Sequence, residues 1–210
     1  MSYICINTLK KEARTISKAR SKAFRNNRRK RRREKPRDQS MLLMDRFSKF
    51  SSLSINNIQQ ILQDDELTAF NKLIKDKFII KGAKDVKIKG EKIEYYQLTN
   101  KGRNFLKKEG FCNYYSSSAR HDIIHATNIL DNFSKEEIDT YKHEKQLPLA
   151  RYKDTSRVDG CLVDSFGTTV YIETATFNYT KQKLDAKIKY YDIHCNNAST
   201  ELMIFDERRR

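Results

Sequence analysis

A chain of 210 residues with only 38% hydrophobic residues and a formal net charge of +16 has room for one large domain or two small ones with modest cores, and its charge predicts an acidic polymer as partner. The four cysteines, Cys5, Cys112, Cys161 and Cys195, contain no Cys-x-x-Cys pair, which argues against a disulfide framework and for reduced thiols in a cytoplasm. No apolar run approaches the roughly 18 to 20 residues that span a bilayer and the N-terminus lacks the apolar core of a signal peptide, so a soluble cytoplasmic protein with no membrane partner is expected.

The charge is concentrated at the start. Residues 1–40 carry fifteen lysines and arginines against Glu12, Glu34 and Asp38, which is +12 of the +16. Between Lys10 and Arg37 only Ile16 and Phe24 offer anything to bury, so the segment reads as a basic arm, disordered or forming one charged helix on binding. Arg25, Arg28, Arg29, Lys30, Arg31, Arg32 and Arg33 are its densest part and the candidate contacts to phosphates or a minor groove; the plainer reading is a solubilising or nuclear-localisation-like tail. Pro36 ends any helix there and separates the arm from the first apolar stripe.

Residues 41–110 give helix, turn, helix, helix and hairpin signals in that order. Met41, Leu42, Leu43, Phe47 and Phe50 make a helical stripe, which Ser51 to Ser54 interrupts. Ser54 is a cap for a second helix burying Ile55, Ile58, Ile61 and Leu62, with its asparagines and glutamines on the wet side. A third helix is expected from about Glu66 to Lys77, burying Leu67, Phe70, Leu73 and Ile74 and leaving Thr68, Asn71, Lys72 and Lys75 free for phosphates and base edges. Phe78 to Lys81 and Glu91 to Leu98 read as two strands joined by a Gly- and Lys-rich tip, in which Lys84, Lys87 and Lys89 can lie along a phosphate backbone. The run Leu98-Thr99-Asn100-Lys101-Gly102-Arg103-Asn104-Phe105-Leu106 resembles the closing strand and helix of bacterial winged-helix proteins, and the segment as a whole resembles a winged helix-turn-helix. That resemblance implies double-stranded DNA as partner; winged helices also serve as protein-docking modules.

Gly110 to Ser118 reads as a linker, with Phe111, Tyr114 and Tyr115 packed on a neighbouring core. Residues 111–210 then read as an α+β layer. A helix over Ala119 to Leu130 carries His121, Asp122 and His125. Ser134 and Glu137 form a capping box for a helix to about Gln146, before a boundary at Pro148. Strands are expected over Val158 to Val163 and Thr169 to Thr176 with a turn around Gly167. A helix capped by Thr180 runs through Leu184, Ile188 and Tyr191, and Leu202 to Phe205 forms a buried closing strand.

Asp159 and Glu173 lie 14 positions apart across that hairpin and can converge, with Asp122 as a third carboxylate; such oxygens suit a Mg²⁺ site for phosphodiester chemistry, with Asp159 and Glu173 as the metal ligands. His121 and His125, at i and i+4, lack a third ligand at zinc-motif spacing. An acidic residue on a helix, Asp in a strand, Glu in the next and then a helix resembles the PD-(D/E)xK nuclease fold. Val158 replaces that family's proline and Ala175 its lysine, so Lys181 or Lys183 is the candidate replacement cation. The wider order, through Leu98 to Arg103, His121-Asp122, Val158-Asp159-Gly160, Ile172-Glu173 and Lys187-Ile188-Lys189-Tyr190-Tyr191, resembles the replication-relaxation family of plasmid and integrative-element proteins over about 150 residues.

That resemblance implies a DNA-binding protein of a plasmid, phage or integrative element, acting in replication, mobilisation or transcription control and needing no cofactor to bind. The alternatives are a Mg²⁺-dependent nuclease or nickase using Asp122, Asp159, Glu173 and Lys181, and an adaptor recruiting a relaxase or replication protein. The oligomeric state is left open, a homodimer included.

Overall fold

The computed structural model describes residues 39–63, 67–111 and 118–207. Arg25, Arg28, Arg29, Lys30, Arg31, Arg32 and Arg33 of the expected arm lie outside the described residues, as do Glu66, Cys112, Tyr114 and Tyr115.

The architecture is mixed α+β. Helix α1 (Gln39–Phe50) leads into a short strand β1 (Ser52–Ser54), helices α2 (Ile55–Leu62) and α3 (Thr68–Lys75), and strand β2 (Ile79–Lys81). A hairpin of β3 (Val86–Ile88) and β4 (Glu91–Ile93) comes after it, then β5 (Tyr95–Leu98) and helix α4 (Asn100–Lys108). Helices α5 (Ala119–Asn132) and α6 (Lys135–Asp139), strand β6 (Lys142–His143) and a 3₁₀ turn at Glu144–Gln146 come next, and β7 (Gly160–Val163), β8 (Thr169–Ala175), α7 (Lys181–His194) and β9 (Thr200–Asp206) complete the order. Among the described residues the strands form three sheets. β1, β5 and β2 pair antiparallel in that spatial order, β3 and β4 pair with each other, and β6-β7-β8-β9 form a four-stranded sheet in which β9 runs parallel to β8.

Local chemistry accounts for most element ends. The Ser54 hydroxyl accepts from Asn57 N–H, while Asn57 Oδ1 accepts from the Ser54 backbone, closing a reciprocal box at the start of α2. Ser134 and Glu137 do the same for α6, and Thr180 caps α7 by accepting from Lys183 N–H. At the end of α3, Phe78 N–H bonds Leu73 C=O and Lys77 N–H bonds Ile74 C=O, with Lys77 at φ 58°. The end of α4 repeats this pattern with Gly110 at φ 77° in the left-handed position, where glycine is unstrained.

The run from Leu98 to Arg103 is a latch on that α3 terminus. Thr99 Oγ1 donates to Lys77 C=O at 2.7 Å and accepts from Gly102 N–H, and Lys101 Nζ donates to Asp76 C=O at 2.7 Å while lying over the Phe78 ring. A Cβ on Gly102 would stand 2.3 Å from Phe78 C=O, so only glycine allows α4 to approach this closely.

Several expectations are corrected. Ser51 to Ser54 is not merely a break, because β1 pairs with β5. Asn57 is buried rather than wet, and its Nδ2 donates to Thr127 on α5. The Lys-rich tip is itself a β-hairpin turning at Lys89 and Gly90. The helix expected to reach Gln146 stops at Asp139, because Tyr141 is buried and β6 pairs with β7. β9 is a half-buried edge strand, not a buried one. The expected boundary at Pro148 is tied to a core, since Leu147 packs with Val158, Tyr190 and Tyr191 and the Tyr190 hydroxyl donates to the C=O of the exposed Pro148 at 2.6 Å.

The larger apolar cluster runs without interruption from Leu43, Phe47 and Phe50 through Ile58, Leu73 and Leu106 to Ala126, Leu162 and Ile172. It therefore spans the elements on both sides of residue 110. Polar contacts reinforce the join: Arg46, almost fully buried on α1, pairs with Asp45 and with Asp139 of α6. Among the described residues no helix is long and apolar enough to cross a membrane.

Candidate functional site

The structure arranges the sequence-derived candidates into two groups. On α3, Thr68, Asn71, Lys72 and Lys75 are all exposed, on the face opposite the buried Ala69, Phe70 and Leu73. On the β3–β4 hairpin, Lys87 stands directly opposite Lys92, and both line a hollow shared with Lys81 and Lys84. Like charges in direct cross-strand register repel, a cost that a bound polyanion removes. Lys89 sits at the turn, 3.7 Å from Glu207. The place of Lys92 opposite Lys87 was not visible in the sequence because the tip did not read as a paired hairpin.

The second group forms where β7 begins and β8 ends. The Asp159 backbone N–H donates to Glu173 Oε2 at 3.1 Å, and the Thr174 backbone N–H donates to Asp159 Oδ2 at 2.9 Å, so each carboxylate is held by the other's strand. Lys187, inward on α7, brings its Nζ to 3.6 Å from Asp159 Oδ1 and 3.2 Å from Glu173 Oε2. His121 Nε2 lies 3.2 Å from both Asp159 Oδ2 and the Thr174 carbonyl. Behind it, His125 bridges Thr174 Oγ1 and the Tyr141 hydroxyl at 2.8 Å each. Tyr141 donates to the Asp159 carbonyl at 3.3 Å, so His125 Nε2 carries the proton that Tyr141 accepts and Nδ1 accepts from Thr174. Tyr141 fits only because residue 160 is glycine, where a Cβ would meet its hydroxyl at 2.4 Å.

The electrostatics follow from burial opposed by partners. Burial pulls the His121 imidazole down, but the Asp159 carboxylate outweighs it and holds it at about 9. Burial pushes Asp159 up, yet His121 and Lys187 hold it well below the usual carboxylate range. Glu173 is raised to about 7 by burial and by Asp159, whereas burial keeps His125 neutral at about 4. Lys187 is disfavoured by burial, but the two carboxylates raise it above its ordinary value. Near neutrality the cluster therefore holds two cations, one ionised carboxylate and one carboxyl divided between its two forms. Tyr179 is driven above its usual range by burial and by Asp159 and Glu173. Glu173 Oε1 has no close hydrogen-bond partner among the described residues, although the side chain is only 1% exposed; the Tyr179 hydroxyl is the donor that acts on this carboxyl.

Asp159 and Glu173 are thus brought together. Asp122 is buried on α5, where its charge helps to raise His121. Lys181 is exposed on the first turn of α7 and forms no ion pair among the described residues; the cation between the carboxylates is Lys187. The signal for Lys187 was its spacing, three positions after Leu184 and four before Tyr191, which puts a charge on the helix stripe that faces the sheet. Cys195 and His194 lie in or beside the second apolar cluster with Tyr190, at the far end of α7 from Thr180. A scan against known protein families, a search of curated proteins and a search of solved structures each found no match.

Proposed function

We propose that this chain is a DNA-binding protein that couples a winged helix-turn-helix to a phosphodiester-cleaving centre of the PD-(D/E)xK kind, acting in replication, mobilisation or transcription control of a plasmid, phage or integrative element, as in replication-relaxation proteins. The observation that carries the proposal is the meeting of Lys187 with Asp159 and Glu173 beside the open end of a hairpin. DNA binding is supported by the order helix, strand, helix, helix, strand, hairpin, strand in residues 39–98. The exposed row on α3 and the facing lysines of the hairpin add to it.

Among the described residues no set of three or more His, Cys, Asp or Glu side chains is disposed to hold a metal ion. Mg²⁺ needs less than that, because it commonly takes one or two carboxylates and keeps water in its remaining positions. Asp159 and the unpartnered Glu173 Oε1 are hard oxygen donors that fit it. Mg²⁺ bound there would acidify water and neutralise charge on a phosphodiester. Lys187 would pair with a non-bridging phosphate oxygen, and His121, cationic at neutral pH, would hold Asp159 in place. Because the Asp159 and Lys187 side chains are only 10% and 9% exposed, binding without cleavage is the competing reading.

Incubation of supercoiled and linear DNA with Mg²⁺, Mn²⁺ or EDTA separates the two. The proposal expects metal-dependent nicking that falls at least about a hundredfold in Asp159→Ala/Glu173→Ala and in Lys187→Met, with the mobility shift retained. Intact DNA under every condition would remove the cleavage claim and leave the binding protein. Lys87→Glu/Lys92→Glu is expected to weaken binding to all sequences and flatten its salt dependence, whereas Asn71→Ala should relax sequence preference. Unchanged affinity in the hairpin variant would take the hairpin out of the DNA interface.

A further inference from the structure

Two pairs of stacked side chains join the first turn of α5 to the segment between β8 and α7. The Arg120 guanidinium lies 4.1 Å from the centre of the Phe177 ring, and the His121 imidazole lies nearly parallel to the Tyr179 ring with centroids 6.3 Å apart. Arg120 and His121 are neighbours in sequence and diverge by about 100° around the helix, so they serve two different places. His121 and Tyr179 belong to the carboxylate cluster. Arg120 and Phe177 line a groove of about 370 Å³ that continues to Ile88, Lys89 and Ile93 of the β3–β4 hairpin. Phe177 is 53% exposed although Arg120 covers one face of its ring, so a cation fixes the ring while its other side stays open for a flat group to stack on.

The hairpin connects this groove with the duplex interface. Its cross-strand register puts Lys87 and Lys92 on one face and Ile88 and Ile93 on the other, so it offers lysines to a phosphate backbone on one side and apolar walls to the groove on the other. The groove's acids are answered from its own lining, Asp131 by Gln60 Nε2 at 3.1 Å and Glu207 by Lys89 at 3.7 Å, which leaves it suited to a base rather than to a phosphate. Its volume is that of a small-ligand site, roughly 300–1,000 Å³, and excludes a duplex, whose major groove alone is about 12 Å wide. The depth of the carboxylate cluster makes the same demand independently. The Asp159 and Lys187 side chains are 10% and 9% exposed, and a stiff duplex carries its phosphates on a body too wide to follow them inward, whereas an unpaired strand is narrow and bends.

We infer that this groove holds an unpaired stretch of DNA with a base stacked on Phe177, so that the protein engages a junction of duplex and single strand. The duplex lies on α3 and the lysine face of the hairpin, and the strand leaves it along the other face. That the strand then reaches Asp159, Glu173 and Lys187 rests on the cleavage reading; its seat on Phe177 does not, since those three residues do not line the groove.

Equilibrium binding by the full chain tests this in EDTA and about 0.3 M salt, where the phosphate contacts of the basic N-terminal segment weaken. The probes are a mixed-sequence single strand, an abasic strand with the same number of phosphates, and the corresponding duplex. The abasic strand should bind at least about fivefold more weakly than the base-bearing one. Phe177→Ala should weaken the base-bearing strand by at least about fivefold and leave the duplex within about twofold, and Phe177→Trp should restore the single strand. Equal affinity for abasic and base-bearing strands, single-strand binding unchanged in Phe177→Ala, or an equal loss on single strand and duplex would overturn the inference. Adding Mg²⁺ separates it from the cleavage reading. Intact forked DNA together with the selective Phe177→Ala loss would remove cleavage and support the unpaired-strand site, whereas nicked DNA with Phe177→Ala binding single strands as the wild type does would overturn the site alone.

Discussion

Two buried ionic clusters sit in this molecule and differ in how completely they are answered. In the first, Arg46 of α1 reaches Asp45 at 2.8 Å, Asp139 at 2.7 Å and the Lys135 carbonyl at 3.4 Å. Lys49 adds 3.1 Å to Asp45 and donates to the carbonyls of Ile138 and Asp139, so cation and anion alike are engaged and α1 is strapped to α6. In the second, Asp159 is held by two cations and two strands, but Glu173 keeps one oxygen unpartnered and its carboxyl is raised to about 7. The first arrangement serves the fold. The second buries a carboxyl that burial and Asp159 hold away from its ionised form, which is a destabilised feature of the sort that functional sites keep.

The largest effect is expected at Arg46. Arg46→Ala leaves Asp45 buried without its shortest ion pair, and a loss of about 3–5 kcal/mol in urea unfolding is expected. A loss within experimental error would mean that the strap is incidental. The next largest effect is in the pH dependence of the second cluster. The His121 imidazole rises from an ordinary 6.5 to about 9, so the stability it contributes is complete below pH 6.5 and disappears as pH rises through 9. In EDTA the wild type should therefore lose on the order of 3 kcal/mol more than His121→Gln between pH 6 and 9.5. Parallel losses in both proteins would show that His121 is not held as a cation.

Smaller effects are expected where a side chain is itself unfavourable to the fold. Glu173→Gln keeps an acceptor for the Asp159 N–H and removes a carboxylate whose ionisation burial opposes, so stability at pH 8 should rise by about 1 kcal/mol. A fall like that of Arg46→Ala would make both clusters structural. The smallest effect is local. Lys77 occupies the left-handed position that Gly110 fills at the end of α4, and Lys77→Gly should raise the melting temperature by the equivalent of about 0.5–1 kcal/mol.

Legibility followed the range of the interactions. Caps at Ser54, Thr99, Ser134 and Thr180 and the turn at Gly167 depend on neighbours within four residues, and the sequence displays them directly. β1 and the end of α6 depend on partners about twenty to forty positions away, which no local pattern announces. Asn57 looked wet because asparagine usually is; Ser54 satisfies its Oδ1 locally, but the acceptor for its Nδ2, Thr127, lies on a distant helix. Asp159 and Glu173 were readable from hairpin geometry, but Lys187 was hidden behind the expectation that a replacement cation would lie near the start of the helix. Its position on the buried stripe of α7 carried the information instead.

The reciprocal bonds between Asp159 and the Glu173–Thr174 segment add one more rung to the β7–β8 ladder beyond Gly160 and Ile172. The turn from Asp164 to Thr168, pinned by Asp164 Oδ1 accepting from Phe166 and Thr168, thereby acts as a ruler for a site that lies at the opposite end of the hairpin. One residue more or fewer in that turn would not merely shift two side chains. It would send one carboxylate to the other face of the sheet, so a surface loop remote from the cluster fixes whether the two acids meet at all.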